Sequence, residues 1–295
     1  MPSTRLQLWL YLPGVLVLAI LLGDAWLLHG AVAAHSPATV AGWPGYGLVF
    51  GQPHIVGSGL LFLDGALRRP CQPLLQRAGL LAALACALAL ALPEAWRDGL
   101  LIGWTLWHVM GQQAGLACGQ ARVAGTTAAR LWKITLALGA GVAAWSAGGE
   151  TLQTPPPDGP WLLWAGWAFS ASVLPAGGLL WQARQRDGDP RALLALQATA
   201  LLAYASVLLG HAVLGVLLLR WTHDATAFAT YLTVVRQRHG RLAAAAFLPL
   251  ALLLSLLATA VLPGAVLLWM VLVHYLAEPA LWRTGSPLRQ VLQPA

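Results

Sequence analysis

Between Arg241 and Glu278 this chain places no lysine, no arginine and no carboxylate, and His274 is the one histidine there. A bilayer core about 30 Å thick is crossed by a helix of ~20 residues. The stretch is therefore long enough for two spans and has nothing with which to solvate a surface. The same pattern recurs from end to end. Of the 295 residues 58% are hydrophobic and 9% charged, against roughly 25% charged in soluble domains. A water-soluble globular enzyme is excluded. The expectation is an all-α polytopic integral membrane bundle, a single transmembrane domain over 1–295.

Apolar segments fall at 6–28, 43–64, 74–92, 99–121, 131–148, 160–182, 192–219, 221–235, 243–262 and 264–282, about ten spans at ~20 residues each. The first, beginning after Arg5 and ending near "HGAVAAHS", is read as a span and not as a cleaved signal. The eighth, "WTHDATAFATYLTVV", is separated from the seventh only by Arg220 and reads as short or re-entrant.

The net charge of +7 supports this layout and calls for no nucleic-acid partner. With both termini cytoplasmic, the inside segments collect Arg5; Arg68, Arg69 and Arg77; Arg122, Arg130 and Lys133; Arg184, Arg186 and Arg191; Arg236, Arg238 and Arg241; and Arg283 and Arg289. Only Arg97 and Arg220 are left outside, the bias expected for a bacterial-type inner membrane. The outside loop 148–160 carries Pro155, Pro156 and Pro157 and cannot continue a helix. It divides the chain into two five-span halves. Trp43, Trp96, Trp161 and Trp282 sit near span ends, as an interfacial belt requires. Cys71, Cys86 and Cys118 form no CxxC pair and no disulfide framework.

The eight histidines carry the chemistry. His29, His35 and His239 fall in loops. His54, His108, His211 and His274 lie about 12–16 Å from the outer ends of four different spans, at 1.5 Å per residue, with His223 shallower. Glu278 follows His274 by four positions, hence one turn along the same face. Gln112 stands one turn from His108, and Asp224 directly follows His223. Ionisable groups inside a bilayer are costly and are normally paired, metal-bound or on a substrate path. Imidazole and carboxylate donors suit iron, zinc, copper or manganese.

The candidate ligands are accordingly His54, His108, His223, His274 and Glu278. Asp224 and Glu278 are candidate catalytic or imidazole-orienting groups, and His211 and Gln112 candidate cofactor contacts. Small-residue ridges at Gly47 and Gly51, and at Gly111, Gly115 and Gly119, predict close helix approach near the site. Pro279 removes the helical hydrogen bond to the Tyr275 carbonyl and predicts a bend beside His274. Asp64 lies within reach of Arg68, one turn on.

The placement of His54, His108, His223 and His274 on separate apolar spans resembles the bacterial Brp/Blh-type carotenoid dioxygenases. The resemblance is one of pattern and involves no extended motif. It implies an all-helical membrane enzyme with non-haem iron, and substrate identity is not carried over from it. The function expected is an intramembrane metal-dependent oxidoreductase acting on a lipophilic small molecule or lipid.

Two alternatives stand beside it. One is a haem protein of electron transfer or haem modification, although no CxxCH attachment occurs. The other is a proton- or metal-coupled transporter, for which the chain is polar mainly in the outer half. No GxSxG nucleophile setting surrounds Ser58, Ser170 or Ser206.

Overall fold

The computed structural model describes residues 3–37, 52–146 and 160–281. Loop 148–159 and the expectations placed on Trp43, Gly47, Gly51, Trp282, Arg283 and Arg289 lie outside them. All regular structure among the described residues is helical. The order is α1 (Ser3–Trp26), α2 (Ala31–His35), α3 (Gln52–Leu60), a 3-10 turn (Leu61–Leu63), α4 (Gly65–Ala91), α5 (Glu94–Gln120), α6 (Thr127–Ser146), α7 (Trp161–Gln185), α8 (Arg191–Leu208), α9 (Ala212–Val261) and α10 (Gly264–Leu281).

Among the described residues α4, α7, α8 and α9 are long and apolar enough to cross a membrane, and Tyr11–Trp26 and Gly264–Pro279 are shorter apolar helices. Large side chains such as Leu80 and Leu174 are 75% and 82% exposed. An aqueous surface would not tolerate so many, and an acyl-chain environment would. These helices are those of a membrane protein.

Several segment boundaries differ from the sequence expectation. The predicted seventh span ends early, at Leu208, and no break occurs at Arg220. The break is a Schellman motif: Gly210 takes φ 83°, its N–H donates to Val207 O (3.2 Å), and the His211 N–H donates to Ser206 O (2.8 Å). The helix that restarts at Ala212 absorbs the expected eighth and ninth segments and kinks at Gly240, where φ is 87° and ψ −179°. Arg220 is thus a buried helical residue and not an outside loop. The third segment begins at Gly65, earlier than expected, because the Asp64 carboxylate caps α4 by accepting from Ala66 N at 2.8 Å.

The chain forms two compact units, each built from two stretches. Residues 1–44 and 98–226 make the first. Within it α6 packs on α7 and α8, α7 on α8, and α1 on α8 and α2. Helices in lipid gain little from apolar burial and rely on packing and interhelical hydrogen bonds of roughly 0.6–2 kcal/mol each. Here Trp132 Nε1 donates to Gln197 Oε1 (2.8 Å) and Gln197 Nε2 donates to Ser172 Oγ (2.9 Å), joining α6, α7 and α8.

Residues 45–97 and 227–295 make the second unit, where α10 packs on α4 and α3. Its core gathers Leu67, Cys71, Tyr231, Phe247, Ala277 and Leu281. Trp269 Nε1 donates to Gly79 O at 3.0 Å, tying α10 to α4. Asp64 does not depend on Arg68 for its ion pair. It pairs with Arg238 at 2.6 Å and lies 3.2 Å from His239 Nε2. The Arg238 hydrogen bond is the main cause holding its carboxyl below the usual range.

Candidate metal centre

In the second unit α3 and α10 bring three sequence-predicted residues together. His54 stands in the first turns of α3, just after Pro53, and His274 and Glu278 share one face of α10. Glu278 Oε2 lies 3.0 Å from His274 Nε2 and 3.5 Å from His54 Nε2. The two imidazoles meet edge to face with centroids 4.6 Å apart. All three side chains are buried, and the nitrogen and oxygen atoms they offer lie within 4.8 Å of one another.

Two residues that the sequence reading did not select hold this group in place. Tyr231 Oη donates to Glu278 Oε1 at 2.5 Å, and its ring stacks on His54 at 5.7 Å with an 11° interplanar angle. That phenol takes one carboxylate oxygen and leaves Oε2 for the imidazoles. Ser58 Oγ donates its single proton to Ile55 O at 2.7 Å and lies 3.0 Å from His274 Nδ1. Having spent its proton, the hydroxyl accepts from Nδ1–H, which leaves the lone pair of neutral His274 on Nε2.

That assignment tests whether the residues fit a metal. A lone pair on Nε2 facing a carboxylate oxygen at 3.0 Å is repulsive unless a cation is shared between them. A proton on Nε2 or a metal ion meets the need. The second imidazole, His54, aimed at the same oxygen favours the ion. Two histidines and one carboxylate form a donor set used by non-haem iron(II), and by zinc in His₂Glu sites. The orienting Ser58 and Tyr231 are the outer groups that such ligands require. This buried His-rich group could hold a transition metal.

Beside it lies a cavity of about 180 Å³. Its walls are mostly apolar, with Leu61, Phe62, Leu75, Trp269 and Met270, and its polar side is formed by Ser58, Tyr231, His274 and Glu278.

The remaining predicted residues belong to the first unit. His108 on α5 and His223 on α9 face each other with ring centroids 5.3 Å apart at 74°, each offering a nitrogen within 4.8 Å of the other's. Gln113, beside the predicted Gln112, supports this pair. Its Nε2 donates to Thr226 Oγ1 at 2.7 Å and lies 3.5 Å from His223 Nδ1. Asp224 lies 3.6 Å from Arg220 as a buried i,i+4 pair.

His211 sits at the α8–α9 break, so its estimated depth within a continuous span does not hold. Its Nε2 lies 3.1 Å from Asp24 Oδ2. Asp24 also accepts from Val32 N (2.8 Å) and Ala33 N (3.1 Å), which fastens α2 to α1. Among the described residues the α5 glycines form no contact ridge: a Cβ at Gly115 or Gly119 would meet none of them within 4 Å, and at Gly111 only the Lys133 side chain.

Ser58 had a legible signal, since it follows His54 by one helical turn. Tyr231 had none, because its partner lies 47 positions away. No family model, no curated protein and no solved structure matches the chain.

Proposed function

We propose that this protein is an inner-membrane metalloenzyme in which His54, His274 and Glu278 hold a non-haem transition metal. The observation that carries the reading is the convergence of two imidazole nitrogens on one buried carboxylate oxygen, 3.0 and 3.5 Å away. The bound metal would supply redox or Lewis-acid chemistry, and iron is the metal we expect. His54 and His274 bind the ion. Ser58 sets the tautomer of His274 and Tyr231 orients Glu278.

The apolar cavity beside the group receives a lipophilic substrate and excludes water from the reacting end. This makes an oxidoreductase acting on a lipid-soluble molecule the preferred reaction class. We further propose ten spans with both termini cytoplasmic, from the distribution of arginine and lysine.

Geometry favours non-haem metal over haem. Two imidazoles on opposite faces of one ion, each bonded at about 2.0–2.1 Å, would have ring centres roughly 6 Å apart or more. The pairs here are at 4.6 and 5.3 Å.

The test is elemental analysis and an optical spectrum of detergent-purified protein beside Glu278→Gln and His54→Ala. Stoichiometric metal in the wild type without a Soret band, lost in both variants, is expected. Folded wild type that takes up no iron, zinc, cobalt or manganese on reconstitution would overturn the reading. A Soret band would replace it with haem.

A further inference from the structure

We propose that Tyr231 is a positioning residue that restricts Glu278 to one metal-facing oxygen and so keeps a place on the ion free for an exogenous ligand. The inference rests on the metal reading of the preceding section. It concerns what the second oxygen of the carboxylate is prevented from doing.

A carboxylate can bind an ion through one oxygen or through both, and the second mode removes a position from any other ligand. In this structure the two oxygens of Glu278 have different partners. Oε2 faces His274 Nε2 at 3.0 Å and His54 Nε2 at 3.5 Å. Oε1 accepts from Tyr231 Oη at 2.5 Å, a short bond of the charge-assisted kind.

The phenol is in turn held from several sides. It stacks on His54 at 5.7 Å and meets Phe228 and Phe247 at 5.9 and 6.3 Å, and Tyr231 is 1% exposed. For Oε1 to swing toward the ion, the carboxylate must give up this donor in a buried setting, where lost hydrogen bonds to charged groups are costly. The ring therefore acts as a stop on Glu278. Tyr231 also forms part of the cavity wall together with His274 and Glu278, so the oxygen it restrains belongs to the side that an incoming ligand approaches.

Removing only the hydroxyl tests this. Tyr231→Phe keeps the ring, its stack on His54 and its packing against Phe228 and Phe247. The full-length protein in detergent is loaded with cobalt(II), whose visible absorption reports coordination number, and is titrated with azide. Wild type is expected to bind about one cobalt per chain at this centre and to change its spectrum with azide. Tyr231→Phe is expected to keep the cobalt and to weaken azide binding at least tenfold. Phe228→Leu, which loosens the packing around Tyr231 and His54 but keeps the hydroxyl, is the packing control and is expected to weaken azide binding by much less than Tyr231→Phe does.

Unchanged azide binding in cobalt-loaded Tyr231→Phe overturns the proposal and leaves the metal reading standing. Loss of cobalt from Tyr231→Phe, or equal loss of azide binding in Phe228→Leu, also overturns it, because the tyrosine would then be supporting the site as a whole. Wild type that takes up no cobalt ends both readings together. A second measurement needs no variant. The infrared carboxylate bands of wild type, taken as cobalt-loaded minus metal-free, should show the wide splitting of one-oxygen binding, and the narrow splitting of two-oxygen binding would refute the restraint.

Discussion

Replacing Ser58 by alanine removes one hydroxyl and, by the geometry above, changes where a proton sits on His274. The hydroxyl gives its proton to Ile55 O (2.7 Å) and receives the Nδ1–H of His274 (3.0 Å). Without it, metal-bound His274 must either keep a buried N–H with no acceptor from Ser58, at about 1–3 kcal/mol, or give up the tautomer that coordinates. The metal-free protein has an escape. The proton can move to Nε2 and be donated to Glu278 Oε2, 3.0 Å away.

The cost therefore falls on the loaded state. It should match the roughly 10–100-fold loss typical of outer-shell changes, which is about 1.4–2.7 kcal/mol. Chelator-competition titrations with cobalt(II), paired with thermal unfolding of metal-free protein, read the two states separately. Ser58→Thr, which keeps an acceptor, should recover most of the affinity. If Ser58→Ala holds metal as tightly as wild type, or if its metal-free form loses as much stability as its loaded form, the tautomer argument is wrong.

Four further outcomes are expected. Glu278→Gln, tested in the same titration, should lose metal by more than Ser58→Ala does, because it removes the one oxygen that both imidazoles face; equal affinities would refute that ranking. Gly210→Ala should destabilise the first unit by about 1–2 kcal/mol, the penalty for an L side chain at positive φ, seen as a lowered midpoint in denaturant. Asp224→Ala removes the buried carboxylate that pairs with Arg220 and should cost about 3–5 kcal/mol, much of which the double change Arg220→Met, Asp224→Leu should restore; a double variant as unstable as the single one would rule out the ion pair as the cause.

The fourth concerns acid. A carboxyl whose folded pKa lies below its unfolded value stabilises the fold above that unfolded value, about 3.9 for aspartate, and loses the effect as pH falls through the folded one. Asp64→Asn should therefore be less stable than wild type at pH 6–8. The two stability curves should converge only below about pH 4, and a constant gap down to pH 2 would rule out the Arg238 pairing as its cause.

The candidate ligands were readable because a membrane makes polarity conspicuous. In a chain with 9% charged residues, a histidine or glutamate inside an apolar run stands out, and the i,i+4 spacing of His274 and Glu278 already places them on one face. Helix ends were less legible. Gly210 was one glycine among 31, and only the backbone shows that it, and not Arg220, ends a helix. The contact of Gln113 with His223 was not legible either, because one residue on a helix is about 100° of rotation, finer than the order of residues in a span resolves.

What the sequence determined alone was the class of solvent and which ionisable side chains stand inside it. Runs of uncharged residues long enough for a bilayer permit only structures that satisfy every backbone group internally, and isolated ionisable side chains within them must find partners. Tertiary structure decided who those partners are. Glu278 meets Tyr231 and His54, 47 and 224 positions away, and Asp64 meets Arg238 across 174. Contacts of that range depend on how helices pack, and in lipid that packing is settled by shape and a few hydrogen bonds. Neither leaves a periodic trace in the order of the residues.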